Sequence, residues 1–119
     1  MHTINIKEKF SLFSAYWDPK IVGELNGQQV KLAKLKGEFV WHKHDQEDEL
    51  FMVIKGVLTI EFRDKTETIS ENEMIIVPRG VEHKPVANEE TWVLLFEPAT
   101  TRNTGNTKGT LTKENLDKI

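Results

Sequence analysis

The sequence predicts an all-β fold of the sandwich or barrel type, and three observations support this prediction. About ten short segments have the apolar patterns of β-strands. Turn-forming residues separate these segments every several residues, and the clearest helical pattern is short and lies near the first residue. With 119 residues, the chain has room for one domain around one hydrophobic core.

The composition excludes several kinds of site. Hydrophobic residues make up 38% of the chain and charged residues 29%, as in a globular protein. There is no cysteine, so disulfides and thiolate sites are excluded, and any metal must be held by nitrogen and oxygen. The net charge of −3 provides no broad basic surface, so we expect no nucleic-acid partner. No stretch has the pattern of a signal peptide or a membrane span, which favours a cytoplasmic protein without a membrane partner.

Residues 1–19 are predicted to form an N-terminal arm with a short helix or helical turn. Asn5 can cap this helix, and Glu8 follows three residues later, as in a capping box. Apolar residues at helical spacing share one face: Ile6, Phe10 and Phe13. This face either plugs one end of the chain's own barrel or covers a partner subunit.

The predicted barrel covers residues 20–98. Asn26-Gly27 predicts a tight hairpin turn between strands over Lys20–Leu25 and Gln28–Lys36. Alternating or continuous apolar patterns predict further strands over residues 38–44, 49–55, 57–63, 66–70, 74–77 and 91–97. Pro85 limits its own segment to an edge or irregular position, because proline has no backbone N–H to donate.

One of these predicted strands carries two histidines. His42 and His44 share a face with Val40, whereas Phe39 and Trp41 lie on the opposite face, because side chains alternate along a strand. If the histidines point into the barrel, the two aromatic side chains point outward and need a cover. We therefore expect a homodimer that forms through this sheet with the help of the N-terminal arm.

Residues 99–119 are predicted to form an irregular C-terminal tail. The first part, Ala99–Thr110, is rich in Thr, Asn and Gly, which is typical of coil along the surface or of disorder. The second part, Leu111–Ile119, predicts a short helix capped by Thr112.

The two strand histidines and a following carboxylate have the chemistry of a metal site. Imidazole is the commonest side-chain ligand of mid-row divalent metals, and a carboxylate completes a set of nitrogen and oxygen ligands. A polar turn over residues 45–48 would fold the next strand back and bring Glu49 opposite His42 and His44. Asp48 is the alternative carboxylate, because a loop can shift the alternation by one residue.

A third histidine strengthens the prediction of a metal site. Pro78 and Gly80 predict a tight bend that directs the chain toward His83. Only His2, near the first residue, lies outside this set of histidines. The simpler explanation is that the histidines lie on a charged surface beside an acidic loop.

The spacing of these residues resembles the first motif of the cupin superfamily. That motif runs Gly, a few residues, His-x-His, three or four residues, Glu, six residues and Gly. This chain has Gly37, His42, His44, Glu49 and Gly56 in that arrangement.

The second cupin motif is matched with two departures. Pro78, Gly80 and His83 stand at the spacing that the motif requires. Asn72 replaces the first glycine of the motif, and Ala87 replaces its asparagine. Asparagine tolerates the left-handed backbone conformation best among residues other than glycine, so the first departure is mild.

The resemblance implies a double-stranded jelly-roll β-barrel that holds one divalent metal ion, and zinc, iron, nickel, manganese and cobalt all suit the ligands. In this sequence the implied ligands are His42, His44, Glu49 and His83. More closely, the chain is similar to the small single-domain bacterial cupins often labelled mannose-6-phosphate isomerase-like, which mostly lack an assigned reaction. Such a ligand set leaves one or two coordination positions open for water or substrate.

Strand alternation also predicts the walls of a small-molecule pocket. The candidate residues share faces with the ligands or lie on neighbouring strands: Val40, Phe51, Val53, Met74, Ile76, Trp92 and Leu94. A mainly apolar cavity of this kind suits a small organic ligand with an apolar body. The alternative is that these side chains fill the barrel.

Two classes of function are compatible with the sequence: a metal-dependent isomerase or dioxygenase, and a non-catalytic sensor or store of a metal or small metabolite. A sugar phosphate would need a cation at the pocket, for which Arg79 is best placed, with Lys84 and Arg102 as further candidates. Isomerisation needs a group that moves a proton, and no carboxylate or lysine beyond the ligands is marked out for this role. Side chains that could fold over the pocket mouth to supply it are Tyr16, Asp48 and Glu82.

Overall fold

The computed structural model describes all 119 residues and consists of seven antiparallel strands and one short helix. The elements are α1 (Ile6–Phe10), β1 (Lys20–Leu25), β2 (Gln28–Glu38), β3 (Glu49–Lys55), β4 (Leu58–Phe62), β5 (Thr66–Ile69), β6 (Met74–Val77) and β7 (His83–Pro98). The all-β prediction is confirmed. No helix has the length and apolar character needed to cross a membrane.

Strand β7 is the longest strand and pairs with three others, β2, β3 and β4. Five strands lie side by side in the order β1-β2-β7-β3-β6. The first part of β7, residues 83–86, pairs with β4, which in turn pairs with β5, and a later part, residues 92–96, pairs with β3. Twelve buried apolar residues form one core between these strands.

Several predicted elements have the expected bounds. Strands β1, β3 and β6 begin and end where the sequence predicts. The hairpin between β1 and β2 turns at Asn26 and Gly27, with φ of 51° and 79°, as a tight turn of this type requires. Asn5 caps α1 by accepting a hydrogen bond from the backbone N–H of Glu8 at 3.0 Å. Asn72, which replaces a motif glycine, has φ of 68°.

The strand predicted over residues 38–44 is wrong. β2 ends at Glu38, and the following ten residues contain no strand, although His42 forms an isolated bridge with His83. Without alternation, Phe39 and Trp41 do not form a common outward face. Phe39 stacks on Trp17 with ring centroids 4.7 Å apart, and the guanidinium of Arg63 covers Trp41 at 3.8 Å.

The N-terminal arm covers the outer face of the chain's own sheet. Phe10 is fully buried and stacks on Trp92 with ring centroids 4.7 Å apart. Lys34 donates a hydrogen bond from Nζ to the carbonyl of Phe13 at 2.7 Å. The helix therefore covers the outer face of the sheet and does not plug a barrel end, whereas Trp17 at the end of the arm reaches an internal cavity.

The C-terminal tail follows the surface as coil, as expected, but the predicted helix over residues 111–119 is wrong. Its last residues lie beside β1, where Ile21 donates to the carbonyl of Asp117 and accepts from the N–H of Ile119. The Thr112 hydroxyl accepts a hydrogen bond from the N–H of Gly109, which precedes it, and so does not cap a helix. These residues pair with the edge of β1 and do not form the helix that their local sequence pattern predicts.

Candidate metal centre

The structure brings together the four residues implied as metal ligands. His42, His44, Glu49 and His83 each offer one ligand atom, and these atoms lie within 4.8 Å of one another. All four side chains are buried, with His83 fully so. Glu49 and His83 are the first residues of β3 and β7, and the two other histidines lie in the irregular segment after β2.

Backbone hydrogen bonds hold two of the histidines side by side. His42 donates its N–H to the carbonyl of His83 at 3.0 Å, and His83 donates in return at 2.9 Å. This reciprocal pair joins the irregular segment to the start of β7. The convergence of the histidines therefore comes from pairing between distant segments, and not from alternation along one strand.

The ring orientations of these two histidines suit metal binding. Nδ1 of His42 lies 2.9 Å from the carbonyl of Val40, and Nδ1 of His83 lies 2.9 Å from that of Val81. A carbonyl only accepts, so both Nδ1 atoms carry the proton and both Nε2 atoms keep a free lone pair. A hydrogen bond of this kind, on the far side of the ring, is typical of metal-bound histidines.

Several polar atoms of the cluster are buried without a protein partner. They are both ring nitrogens of His44, Oε1 of Glu49 and Nε2 of His83. Nε2 of His44 and of His83 lie 3.3 Å and 3.6 Å from Oε1 of Glu49. Buried polar atoms without partners are costly, and one divalent ion would satisfy Oε1 of Glu49, Nε2 of His83 and one ring nitrogen of His44 at once. The residues therefore fit a metal ion.

The charge states of the cluster also suit a cation. Burial, and then the neighbouring charge of His83, lower the pKa of His42 to about 4, so this ring is neutral at pH 7. Burial alone would raise the pKa of Glu49, yet its close contacts with Glu97, His44 and His83 hold it well below its usual range. The cluster thus presents a neutral imidazole and an ionised carboxylate, as metal ligands must be.

A second buried carboxyl group lies next to the cluster. Burial, and then the charge of Glu49, raise the pKa of Glu97 well above its usual range. Nζ of Lys31 donates to Oε1 of Glu97 at 2.7 Å, and both side chains are only 2% exposed. Burial and the nearby charge of Glu49 therefore favour the protonated form of Glu97, whereas the contact with Lys31 favours the ionised form.

Sequence reasoning missed Lys31 and Glu97, although a signal for them exists. Lys31 lies two residues before Ala33 on β2, and Glu97 lies two residues after Leu95 on β7. Both apolar neighbours face the core, so each charged residue occupies an inward position. A charge at an inward position of each of two strands indicates a buried pair.

A cavity lies beside the cluster. His42, Glu49 and Glu97 contribute polar atoms, and aromatic walls come from Trp17, Phe39 and Phe51. The cavity itself measures about 40 Å³, and the wider space of about 440 Å³ between the walls includes open solvent at its mouth. Its mixed lining is typical of a site for a small organic molecule.

Trp17 at the cavity wall has a rare backbone conformation. Its φ of 57° lies in the left-handed region, which bulky residues seldom adopt. The indole N–H donates to the carbonyl of Lys36 at 2.9 Å, and the side chain is 9% exposed. Packing and hydrogen bonding therefore hold the ring against the cavity despite the strain.

Of the seven predicted wall residues, only Phe51 lines the cavity. Val53 is fully buried in the core, and Val40 is half-buried away from the cavity. Four residues lie on the outer face of the sheet instead: Met74, Ile76, Trp92 and Leu94. The reason is register, because Val77 pairs with Glu49 and Leu95 pairs with Phe51, and directly paired residues share a face.

The alternative carboxylate and the proposed acid or base residues lie outside the cavity. Asp48 is exposed and accepts a hydrogen bond from the N–H of Arg79 at 2.8 Å. The Tyr16 hydroxyl donates to Glu90, and Glu82 pairs with Arg63 on the surface. None of the candidates for phosphate binding lines the cavity: Arg79, Lys84 and Arg102.

The low pKa of His42 predicts a pH-dependent stability of the metal-free protein. The pKa is about 4 in the folded state and 6.5 in the unfolded chain, so the unfolded state binds more protons between these values. The contribution of His42 is complete above pH 6.5 and falls by roughly 3 kcal/mol as the pH drops to 4. Urea denaturation across this range, with a chelator present, measures the loss.

The matched control for this measurement is His42→Asn. Glu97, whose pKa is raised, contributes a slope of opposite sign, so only the difference between the two proteins isolates His42. We expect a shallower loss of stability with acid in His42→Asn. Equal slopes in both proteins would contradict the assignment.

Comparison with known proteins gives a family and several relatives. The family model described as the cupin domain matches residues 28–97. An uncharacterized protein of Bacillus subtilis, YdbB, is 39% identical over 80 residues, which are 66% of this chain and 65% of that protein. The matched part therefore spans just under two thirds of the length of that relative.

Two solved structures are similar in both sequence and fold. A cupin-2 domain containing protein from Shewanella frigidimarina is 49% identical, with a TM-score of 0.79 over 80% of this chain and 93% of that one. Protein NMB1881 from Neisseria meningitidis is 33% identical, with a TM-score of 0.76 over 82% of this chain and all of that one (100%).

Proposed function

This chain belongs to the cupin domain family, and from that membership and the buried cluster we propose that it is a metal-binding cupin that acts on or binds a small organic molecule. The family match also confirms the resemblance that the sequence indicates, together with its jelly-roll fold. The observation that carries the proposal is the convergence of four buried ligand atoms within 4.8 Å, several without any protein partner.

Each member of the cluster has a defined role in this proposal. His42, His44, Glu49 and His83 would hold one divalent ion of zinc, iron, nickel, manganese or cobalt. When bound, such an ion supplies either Lewis-acid or redox chemistry to a ligand at an open position. His42 and Glu49 also line the cavity, so a ligand in the cavity lies beside the metal site.

The cavity supports a particular class of small molecule. The aromatic rings of Trp17, Phe39 and Phe51 favour an apolar body, and the metal site favours oxygen atoms that chelate. No arginine lines the cavity, and the buried Lys31 is already paired with Glu97. A phosphorylated sugar is therefore a poorer candidate than a chelating organic acid, enol or ketone.

Glu97 favours an enzyme over a non-catalytic module. It is the one carboxyl group beyond Glu49 that lines the cavity, and burial and the charge of Glu49 raise its pKa, which favours a protonated carboxyl group beside the metal site. Isomerisation needs such a group, because a proton must be moved between two carbon atoms of the substrate. We therefore place a metal-dependent isomerase ahead of a dioxygenase, and a sensor or store of a metal or metabolite remains the alternative.

Elemental analysis of protein purified without added metal tests the proposal. We expect about one divalent metal ion per chain, as one four-residue ligand set provides. Protein stripped with a chelator should then take up zinc, manganese or cobalt in a calorimetric titration. Absence of bound metal in the purified protein, together with no heat of binding for any of these ions, would overturn the proposal.

A second experiment separates an enzyme from a binding module. Small chelating acids, ketones and sugar phosphates are screened by thermal shift with metal-loaded and metal-free protein. Ligands that stabilise only the loaded form are then incubated with it, with and without oxygen, and analysed by mass spectrometry and NMR. Recovery of every such ligand unchanged would favour the sensor or store.

The outer face of the sheet supports a homodimer, although not through the surface that the sequence indicates. Two apolar rows cross β3, β6 and β7 without a charged residue: Leu50, Ile76 and Phe96, and Met52, Met74 and Leu94. Met74 is 58% exposed and Ile76 is 56% exposed. We propose a second copy of this chain as the occupant, because an uncharged patch can meet its own copy without repulsion.

The charged double variant Met74→Lys/Ile76→Lys is expected to be monomeric, because it places like charges in the proposed interface. Light scattering measures the mass of the wild type and of the variant. The control is Leu12→Lys, which changes an apolar residue that is 64% exposed elsewhere on the surface. A monomeric mass for the wild type would exclude the homodimer.

A further inference from the structure

The C-terminal tail contacts the segment that carries two of the metal ligands. The family match ends at residue 97, so residues 101–107 lie outside it. These residues pack against residues 42–44, which belong to no strand. We call residues 101–107 the C-terminal clamp and residues 42–44 the ligand segment.

Hydrogen bonds from the clamp occupy the backbone of the ligand segment and of Trp41, the residue before it. Asn106 accepts the N–H of Lys43 with Oδ1 at 2.9 Å and donates its own N–H to the carbonyl of Lys43 at 3.0 Å. The Thr107 hydroxyl donates to the carbonyl of Trp41 at 3.0 Å. Both backbone groups of the residue between the two histidines are therefore bound by one clamp residue.

Gly105 allows this close approach. A Cβ atom at this position would lie 2.2 Å from the carbonyl oxygen of Lys43 and 3.2 Å from Cδ2 of His42. Its φ of 56° also lies in the left-handed region. Any side chain at Gly105 would therefore push the clamp away from the ligand segment.

Hydrogen bonds with residues 111–113 support the clamp. The Asn103 side chain donates to the carbonyl of Leu111 and accepts from the N–H of Lys113, both at 2.9 Å. The hydroxyls of Thr104 and Thr112 lie 2.7 Å apart, and Thr104 is 1% exposed. The clamp therefore presents a fixed surface to the ligand segment.

The ligand segment needs such support because its second histidine has little of its own. No protein group hydrogen-bonds to either ring nitrogen of His44, so the position of this ring depends on its backbone. Beyond the clamp, one backbone bond holds it, from the N–H of Gly80 to the carbonyl of His44 at 2.8 Å. Metal affinity depends on such supporting groups as well as on the ligands themselves.

We propose that Asn106 and Thr107 are positioning residues, which set the affinity of the metal site by fixing the backbone around Lys43. This inference rests on the proposed metal-binding function of the cluster. It assigns a role in the site to a segment outside the family match. The two residues touch no ligand atom and act through the conformation of the ligand segment alone.

Metal titration of matched variants tests this inference. Asn106→Ala removes the acceptor for the Lys43 N–H, and Thr107→Val removes a hydroxyl at nearly constant shape, whereas Thr107→Ser keeps it. We expect affinity for zinc and cobalt to fall about 10- to 100-fold in the first two variants and to be retained in Thr107→Ser. The control Asn115→Ala changes an exposed asparagine of the same tail and should bind as the wild type does.

Two further readouts separate positioning from general stability. The visible absorption of bound cobalt should change in Asn106→Ala and Thr107→Val, because it reports the ligand geometry. The melting temperature of the metal-free protein should fall only slightly for Thr107→Val, so that a general loss of stability does not explain the loss of metal affinity. A wild type that binds no metal contradicts the proposed function itself. A wild type that binds metal, with clamp variants of equal affinity and spectrum, overturns the inference.

Discussion

Replacing His83 with alanine is expected to abolish metal binding while the barrel stays folded. His83 is fully buried, and its free Nε2 points into a cluster where no other side chain could substitute for it. Its backbone pairs with Phe62 and with His42 and is unchanged by the substitution, so the fold loses only the packing of the ring. Metal content should fall from about one ion per chain to nearly none.

Elemental analysis and calorimetry measure this loss, and circular dichroism checks the fold. His2→Ala is the matched control, because His2 is exposed and lies outside the cluster. His2→Ala should keep the full metal content. If His83→Ala retained one tightly bound ion per chain, His83 would have to be removed from the ligand set.

Replacing Lys31 with methionine is expected to destabilise the metal-free protein by about 3–5 kcal/mol. The side chain is 2% exposed and its Nζ donates to Glu97 at 2.7 Å, and the nearby charge of the ionised Glu49 raises the pKa of Glu97. Without Lys31, a buried negative charge remains with no cation beside it. This cost is a large part of the total stability of an ordinary domain, about 5–15 kcal/mol.

Urea denaturation of stripped protein measures the effect. Lys36→Met is the control, because Lys36 is an exposed residue of the same strand, β2, and should change stability little. Adding Glu97→Gln to Lys31→Met should restore part of the loss, since the amide carries no charge and can donate to Glu49. A Lys31→Met variant as stable as Lys36→Met would contradict the paired state of this lysine.

The metal cluster could be predicted from the sequence even though the strand predicted over residues 38–44 is wrong. The residue types and the resemblance to the cupin motifs place His42, His44, Glu49 and His83 in one set, and the structure brings them together. The predicted strand that would align the first two histidines does not exist, because backbone pairing with β7 organises them instead. The motif of ligand residues thus predicts which side chains meet in space, whereas local strand propensity does not.

The cavity walls could not be predicted, because they depend on strand register. Met74 and Ile76 have the composition of wall residues, but only the pairing of Glu49 with Val77 decides that they face outward. The buried pair of Lys31 and Glu97 could be predicted from the sequence, because both residues interrupt a row of inward apolar positions. The conformation of residues 111–119 could not be predicted, because it depends on pairing with β1, which is distant along the chain.

Strand β7 carries His83 near its beginning and Glu97 near its end, both on the inward face. Between residues 91 and 96 the pairing with β2 is regular, so loss or gain of a single residue there would send the carboxyl group of Glu97 to the exterior. Indels in this part of the strand should therefore be tolerated among homologues only in multiples of two, whereas residues 88–90, where the register shifts, and the turn between β4 and β5 should vary in length.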